Sequence, residues 1–119
     1  MKPFDNASAS PAGAGALHAQ IPRLMALVDI GFLALELWRA EQAATELHRI
    51  YIRKIQEYEE RFGDIGGRIN PRNHEHVAIV AYTMDARLAL TAARRKVYAA
   101  RRRLRNACAK AARKGATCA

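Results

Sequence analysis

Apolar positions recur by sevens over much of this chain. In the last third the sequence reads ARLALTA ARRKVYA ARRRLRN ACAKAAR, residues 86–113 in blocks of seven. Alanine opens each block, an apolar or small residue holds the fifth place, and Arg or Lys fills half of the rest. A repeat of seven keeps one stripe of a helix turned toward one partner, the coiled-coil condition. The stripe is Ala86, Leu90, Ala93, Val97, Ala100, Leu104, Ala107 and Ala111, with Ile79 upstream and Thr83 as a weak point. Val77, Val80, Met84 and Leu88 add a second apolar strip to the first half of the segment.

An earlier segment answers this stripe with Leu33, Leu37, Ala40, Ala44, Leu47, Tyr51, Ile55, Tyr58 and Phe62, spaced by threes and fours. Its opening, LMALVDIGFLALELW at 24–38, is apolar almost all round. A helix apolar on every side asks for more than one neighbour. A second chain, a folded-back helix or a larger assembly is therefore expected over residues 21–41, with Leu24, Val28, Phe32, Leu35 and Trp38 as the protein-interface residues. Core packing is the plainer reading of Trp38, Tyr51, Tyr58 and Tyr82; for Trp38 the sharper one is an interface anchor.

The breakers set the boundaries. Residues 1–16, MKPFDNASASPAGAGA, have nothing large to bury after Phe4 and read as a flexible arm. The first helix is expected over about 20–62, with Pro22 tolerated in the first turn and Gly63 as the C-cap glycine. Gly31 or the Trp38 region is where it could bend or break. The connection GDIGGRIN covers 63–70; Asn70 as N-cap and Pro71 at the first helical position then start a second helix, about 71–114, and 115–119 are a tail. The expected fold is all-α, a long antiparallel two-helix hairpin with an alanine-rich, coiled-coil-like seam.

Charge changes the picture. The net charge is +9, yet the eleven Lys/Arg from Arg87 to Lys114 sit in a stretch, 86–119, with no acidic residue. All eleven Asp/Glu lie before it. Mixed-sign charge would keep the helix soluble equally well, so a single-sign block points to an anionic partner. The candidate phosphate-contacting residues are Arg87, Arg94, Arg95, Lys96, Arg101, Arg102, Arg103, Arg105, Lys110, Arg113 and Lys114. Arginine outnumbers lysine here, which suits bidentate phosphate contact. Six to ten such contacts imply a log–log salt slope on duplex of about −5 to −9. Asn106 is the main uncharged polar side chain in the block and Tyr98 its single aromatic, so neither base-edge readout nor base stacking is provided for.

The expected function is thus non-enzymatic nucleic-acid binding or packaging, DNA or RNA, largely independent of sequence. A helical interaction module working through 21–41 is the alternative, as an assembly subunit or a small inhibitor of a larger machine. A membrane-active helix pair ranks last, because the alanine seam offers little bulk to bury in lipid, and a membrane span is disfavoured because Asp29 and Glu36 interrupt a run too short to cross. No catalytic residue, metal site or cofactor is expected. His74 and His76 are two apart, whereas a helical zinc pair needs a spacing of four. Gly63, Gly66 and Gly67 follow a helix and not a strand, so they fail the context of a phosphate loop. Cys108, beside the seam, reads as a small packing residue, and Cys118 lies in the tail. Two cysteines without a disulfide framework and no secretory signal suit a cytoplasmic setting, nucleic-acid-associated or within an assembled particle.

Overall fold

A computed structural model describes the backbone of residues 11–117 and the side chains of residues 17–114. The protein is an all-α, two-helix hairpin. Helix α1 spans Pro11–Phe62, a short 3-10 turn spans His74–His76, and helix α2 spans Val77–Thr117. Helix α1 begins well before the expected start near residue 20, so 11–16 are helical and not part of an arm; residues 1–10 lie outside the described residues. Alanine, the strongest helix former, alternates with glycine in PAGAGA, and proline is tolerated at a helix start. The helix also continues unbroken through Pro22, Gly31 and Trp38. Helix α2 runs past Lys114 to Thr117, taking in part of the expected tail.

Helix α1 ends as anticipated. Gly63 has φ +95°, and its N–H donates to the Glu59 carbonyl at 2.8 Å. This is the five-to-one bond of a left-handed cap, a backbone conformation that glycine takes without the Cβ penalty.

Helix α2 starts later than the sequence suggests. Asn70 does not cap it. The Asn70 side chain instead accepts from the Arg72 N–H at 3.0 Å, and its carbonyl accepts from the Asn73 N–H at 3.0 Å, closing a turn around Pro71. The cap is Asn73, whose Oδ1 accepts from the Glu75 N–H at 2.9 Å. Two asparagines three apart compete for one role, and the second lies next to the turn that leads into the helix. The helical start therefore slips from 71 to the 3-10 turn at 74–76 and to Val77. Asn73→Ala is expected to cost about 1 kcal/mol of stability, the usual loss for removing such a cap. Asn70→Ala should cost less, and chemical denaturation of the two variants compares them.

Packing divides the hairpin into two compact units. One is Glu36–Arg101. Here α2 buries Ile79, Thr83, Leu90, Ala93, Val97 and Ala100, at the predicted four-and-three spacing. On α1 the half-buried positions include Leu37, Ala40, Ala44, Leu47, Tyr51, Ile55 and Tyr58. Thr83 does not weaken this core. It is 1% exposed, and its hydroxyl donates to the Ile79 carbonyl at 2.8 Å, so its polar group is satisfied within its own helix. Phe62, by contrast, is exposed, although its ring stands 4.9 Å from that of Tyr58. Tyr58 also meets Tyr82 at 5.6 Å, and the Tyr82 hydroxyl donates to Glu57 at 3.3 Å. These contacts bring the two helices together antiparallel near the connection. On the outer side of α2, Val77, Met84 and Leu88 are exposed, so most of the second apolar strip faces solvent.

The other unit joins residues up to Leu35 with those from Arg102 onward. Ala26, Ile30 and Leu33 on α1 and Leu104, Ala107 and Ala111 on α2 are its half-buried positions. No described side chain in this unit is fully buried. Alanine contributes little area, so the pairing leaves grooves, one lined by Ala26, Phe32, Leu33, Ala107 and Ala111 together with Asp29, Lys110 and Lys114.

Candidate nucleic-acid interface

Helix α2 carries every predicted phosphate-contacting residue, and each is exposed. In the Glu36–Arg101 unit these are Arg87, Arg94, Arg95, Lys96 and Arg101. Because the seam takes every third and fourth residue, the cations fall on the positions between. Arg101 reaches Glu41 across the hairpin, but the N–O distance is 4.0 Å and both side chains are about half exposed (50% and 46%). Such a pair contributes little to stability and holds the guanidinium loosely. The Arg101 guanidinium also lies 5.9 Å from the Tyr98 ring centroid, and Tyr98 is itself exposed. The shorter ion pairs of this unit are elsewhere, on α1, where Arg49 meets Glu46 at 3.6 Å and Lys54 meets Glu57 at 3.4 Å. Glu46 and Glu57 thus find cations on their own helix.

In the other unit the candidate residues are Arg102, Arg103, Arg105, Lys110, Arg113 and Lys114. With Arg23 they make seven cations among its described residues, against Asp29 as the one acid. Arg103, Arg113 and Lys114 each take part in an interaction as well. A single carboxylate cannot neutralise seven positive charges, so this unit carries a net positive field whatever its local pairings.

The predicted protein-interface residues are exposed too. Leu24, Val28, Phe32 and Leu35 in the Arg102-containing unit are 49–67% exposed. Trp38, in the Glu36–Arg101 unit, is 58% exposed, which rules out the core reading of that residue. Four neighbours not singled out in the sequence, Leu17, Ile21, Met25 and Leu27, are exposed as well. Leu17 stands one seven-residue step before Leu24, a signal hidden by expecting the helix to begin later.

The remaining candidates take structural places. His76 Nδ1 accepts from the Asn70 N–H at 2.9 Å, so His76 fastens the connection. His74 is exposed, and no group of three His, Cys, Asp or Glu that could hold a metal occurs among the described residues. Cys108 is a free, exposed thiol and not the packing residue expected, because it falls one position past the sheltered Ala107. Cys118 lies outside the described residues. Among the described residues no helix is long and apolar enough to cross a membrane. No protein-family model, curated protein or solved structure matches the chain.

Proposed function

We propose that this protein is a non-enzymatic nucleic-acid-binding protein that grips phosphate backbones through α2, largely without regard to sequence. One observation carries the reading: from Arg87 to Lys114 eleven Lys/Arg are all exposed, on a helix that has no acidic residue after Asp85. Each phosphate neutralised by such a side chain releases condensed counterions, which supplies affinity at low salt. The seam fixes which side of α2 faces α1, so the cations are held out on the remaining surface without an ordering cost for the backbone at binding.

Helical spacing sets how many can act together. In the Glu36–Arg101 unit Arg87, Arg94 and Arg101 fall on one row, and in the other unit Arg103, Lys110 and Lys114 do. Roughly six or seven such contacts put the expected log–log salt slope near −6. Fluorescence anisotropy on a short duplex of random sequence between low and physiological salt measures it. A slope shallower than −2, or binding that survives in molar salt, would remove the electrostatic basis. Two duplexes of unrelated sequence should bind alike.

The exposed apolar residues of α1 favour a second reading, a helical interaction module, and the two are separable. Gel filtration with and without nuclease distinguishes a nuclease-sensitive large species from a discrete oligomer that carries no absorbance at 260 nm.

A further inference from the structure

In the unit that joins residues up to Leu35 with those from Arg102 onward, α1 has two apolar faces. One, built from Ala26, Ile30 and Leu33, turns to α2 and is half-buried. At 100° per residue the opposite face carries Leu17, Ile21, Leu24, Val28 and Leu35, flanked by Met25, Leu27 and Phe32. These eight side chains are 48–68% exposed. Arg23 and Asp29 lie off to the sides, so the face itself is uncharged from Leu17 to Leu35. We infer that a second copy of this chain covers it, with the two α1 helices antiparallel across a two-fold axis.

Three observations select this occupant. First, the face has no charge for an acidic or basic partner to read, whereas it is complementary to itself. The positions 17, 21, 24, 28, 31 and 35 are separated by four, three, four, three and four, the same read from either end. An antiparallel copy centred near residue 26 therefore sets Leu17 against Leu35, Ile21 against Gly31, and Leu24 against Val28. Gly31 has open space around its Cα, with nothing within 4 Å of an added Cβ, and gives Ile21 of the other copy a hole to enter.

Second, the area suffices. Eight large apolar side chains, each about half exposed, present on the order of 700 Å² per copy, close to the ~800 Å² per partner of a standard interface. Contiguous apolar surface of that size is uncommon on a monomer. The unit beneath it has no fully buried side chain among those described, so it gains most from an added layer.

Third, the charge requires this side. Copies meeting through this part of α2 would bring together two basic segments that have no acidic residue. Meeting through the far face of α1 leaves two α1 layers between them, about 25 Å at 8–10 Å per helix spacing, beyond the ~8 Å Debye length of physiological salt. Each copy then keeps its cations on the outside, free to engage a separate phosphate backbone.

The test uses the full chain, freed of nucleic acid by nuclease and high salt, in equilibrium sedimentation at tens of micromolar. The expected mass is twice 13.2 kDa. Leu24→Glu combined with Val28→Glu should give a helical monomer, while Arg94→Glu, Arg101→Glu and Arg105→Glu together should leave the dimer intact. Orientation is read in a Cys108→Ser, Cys118→Ser background. Leu17→Cys and Leu35→Cys mixed together should form a cross-linked pair, but neither alone, since eighteen residues separate them by ~27 Å along the helix. A monomer overturns the proposal, as does a dimer indifferent to the two glutamates. Leu17→Cys cross-linking to itself overturns the antiparallel pairing. A monomer that floats with phosphatidylserine-containing vesicles through the same face would assign it to a membrane surface instead. None of these outcomes depends on duplex affinity, so the dimer and the phosphate interface stand or fall apart.

Discussion

Replacing Arg94, Arg101 and Arg105 together by glutamate is expected to lower duplex affinity at least about 100-fold at physiological salt. The magnitude follows from counterion release. Each phosphate contact adds ~0.9 to the log–log slope, so between molar and 0.15 M salt three contacts are worth roughly two decades of affinity. Like-charge repulsion between the new carboxylates and phosphate adds to that. The three residues lie on α2, and all are exposed. The fold should survive. Arg101 alone has a carboxylate within reach, Glu41 at 4.0 Å with both groups about half exposed, and losing such a pair costs well under 1 kcal/mol once solvent screening is counted. Circular dichroism of the triple variant should overlay that of the parent. Duplex binding unchanged at physiological salt, with helicity intact, would count against α2 as the interface.

The second large effect lies in the Glu36–Arg101 unit. Ile79→Ala should destabilise it by about 3 kcal/mol, within the 2–5 kcal/mol seen when a buried Leu or Ile is cut to Ala. Ile79 is 0% exposed and, with Thr83, the largest fully buried side chain. The next buried position on α2 is Thr83, whose hydroxyl is tied to the Ile79 carbonyl and does not fill the gap. Domains of this size have only some 5–15 kcal/mol in total, so the loss should appear as a large drop in the urea midpoint. Val77→Ala, at an exposed site two residues away, is the control and should move the midpoint little. Equal losses at both positions would mean that the seam is not where the stability resides.

Much of the fold was legible in the sequence because two signals agreed. The sevenfold spacing of Leu90, Ala93, Val97 and Ala100 named the buried side of α2, and Gly63 marked the end of α1. Two kinds of position were not legible. The start of α2 turned on which of Asn70 and Asn73 caps it, a local competition between equally good hydrogen-bonding side chains. Burial at single positions, such as Thr83 in the seam and Cys108 and Trp38 beside it, depends on local packing and on helix rotation by a few tens of degrees, which composition does not report. The candidate interface was legible in kind, as a one-signed block. That each cation is exposed needed the structure.

The antiparallel pairing also orders events in time. Tyr82 meets Glu57 across a sequence separation of 25, whereas Arg101 meets Glu41 across 60 residues. Closing the longer loop first would cost about 0.8 kcal/mol more in chain entropy. The aromatic cluster of Tyr58, Phe62 and Tyr82 sits at the cheap end. Refolding should therefore begin there and zip outward, so that Tyr58→Ala slows folding while Ala100→Gly chiefly hastens unfolding. Stopped-flow traces that show the reverse partition would place the nucleus at the far alanines instead.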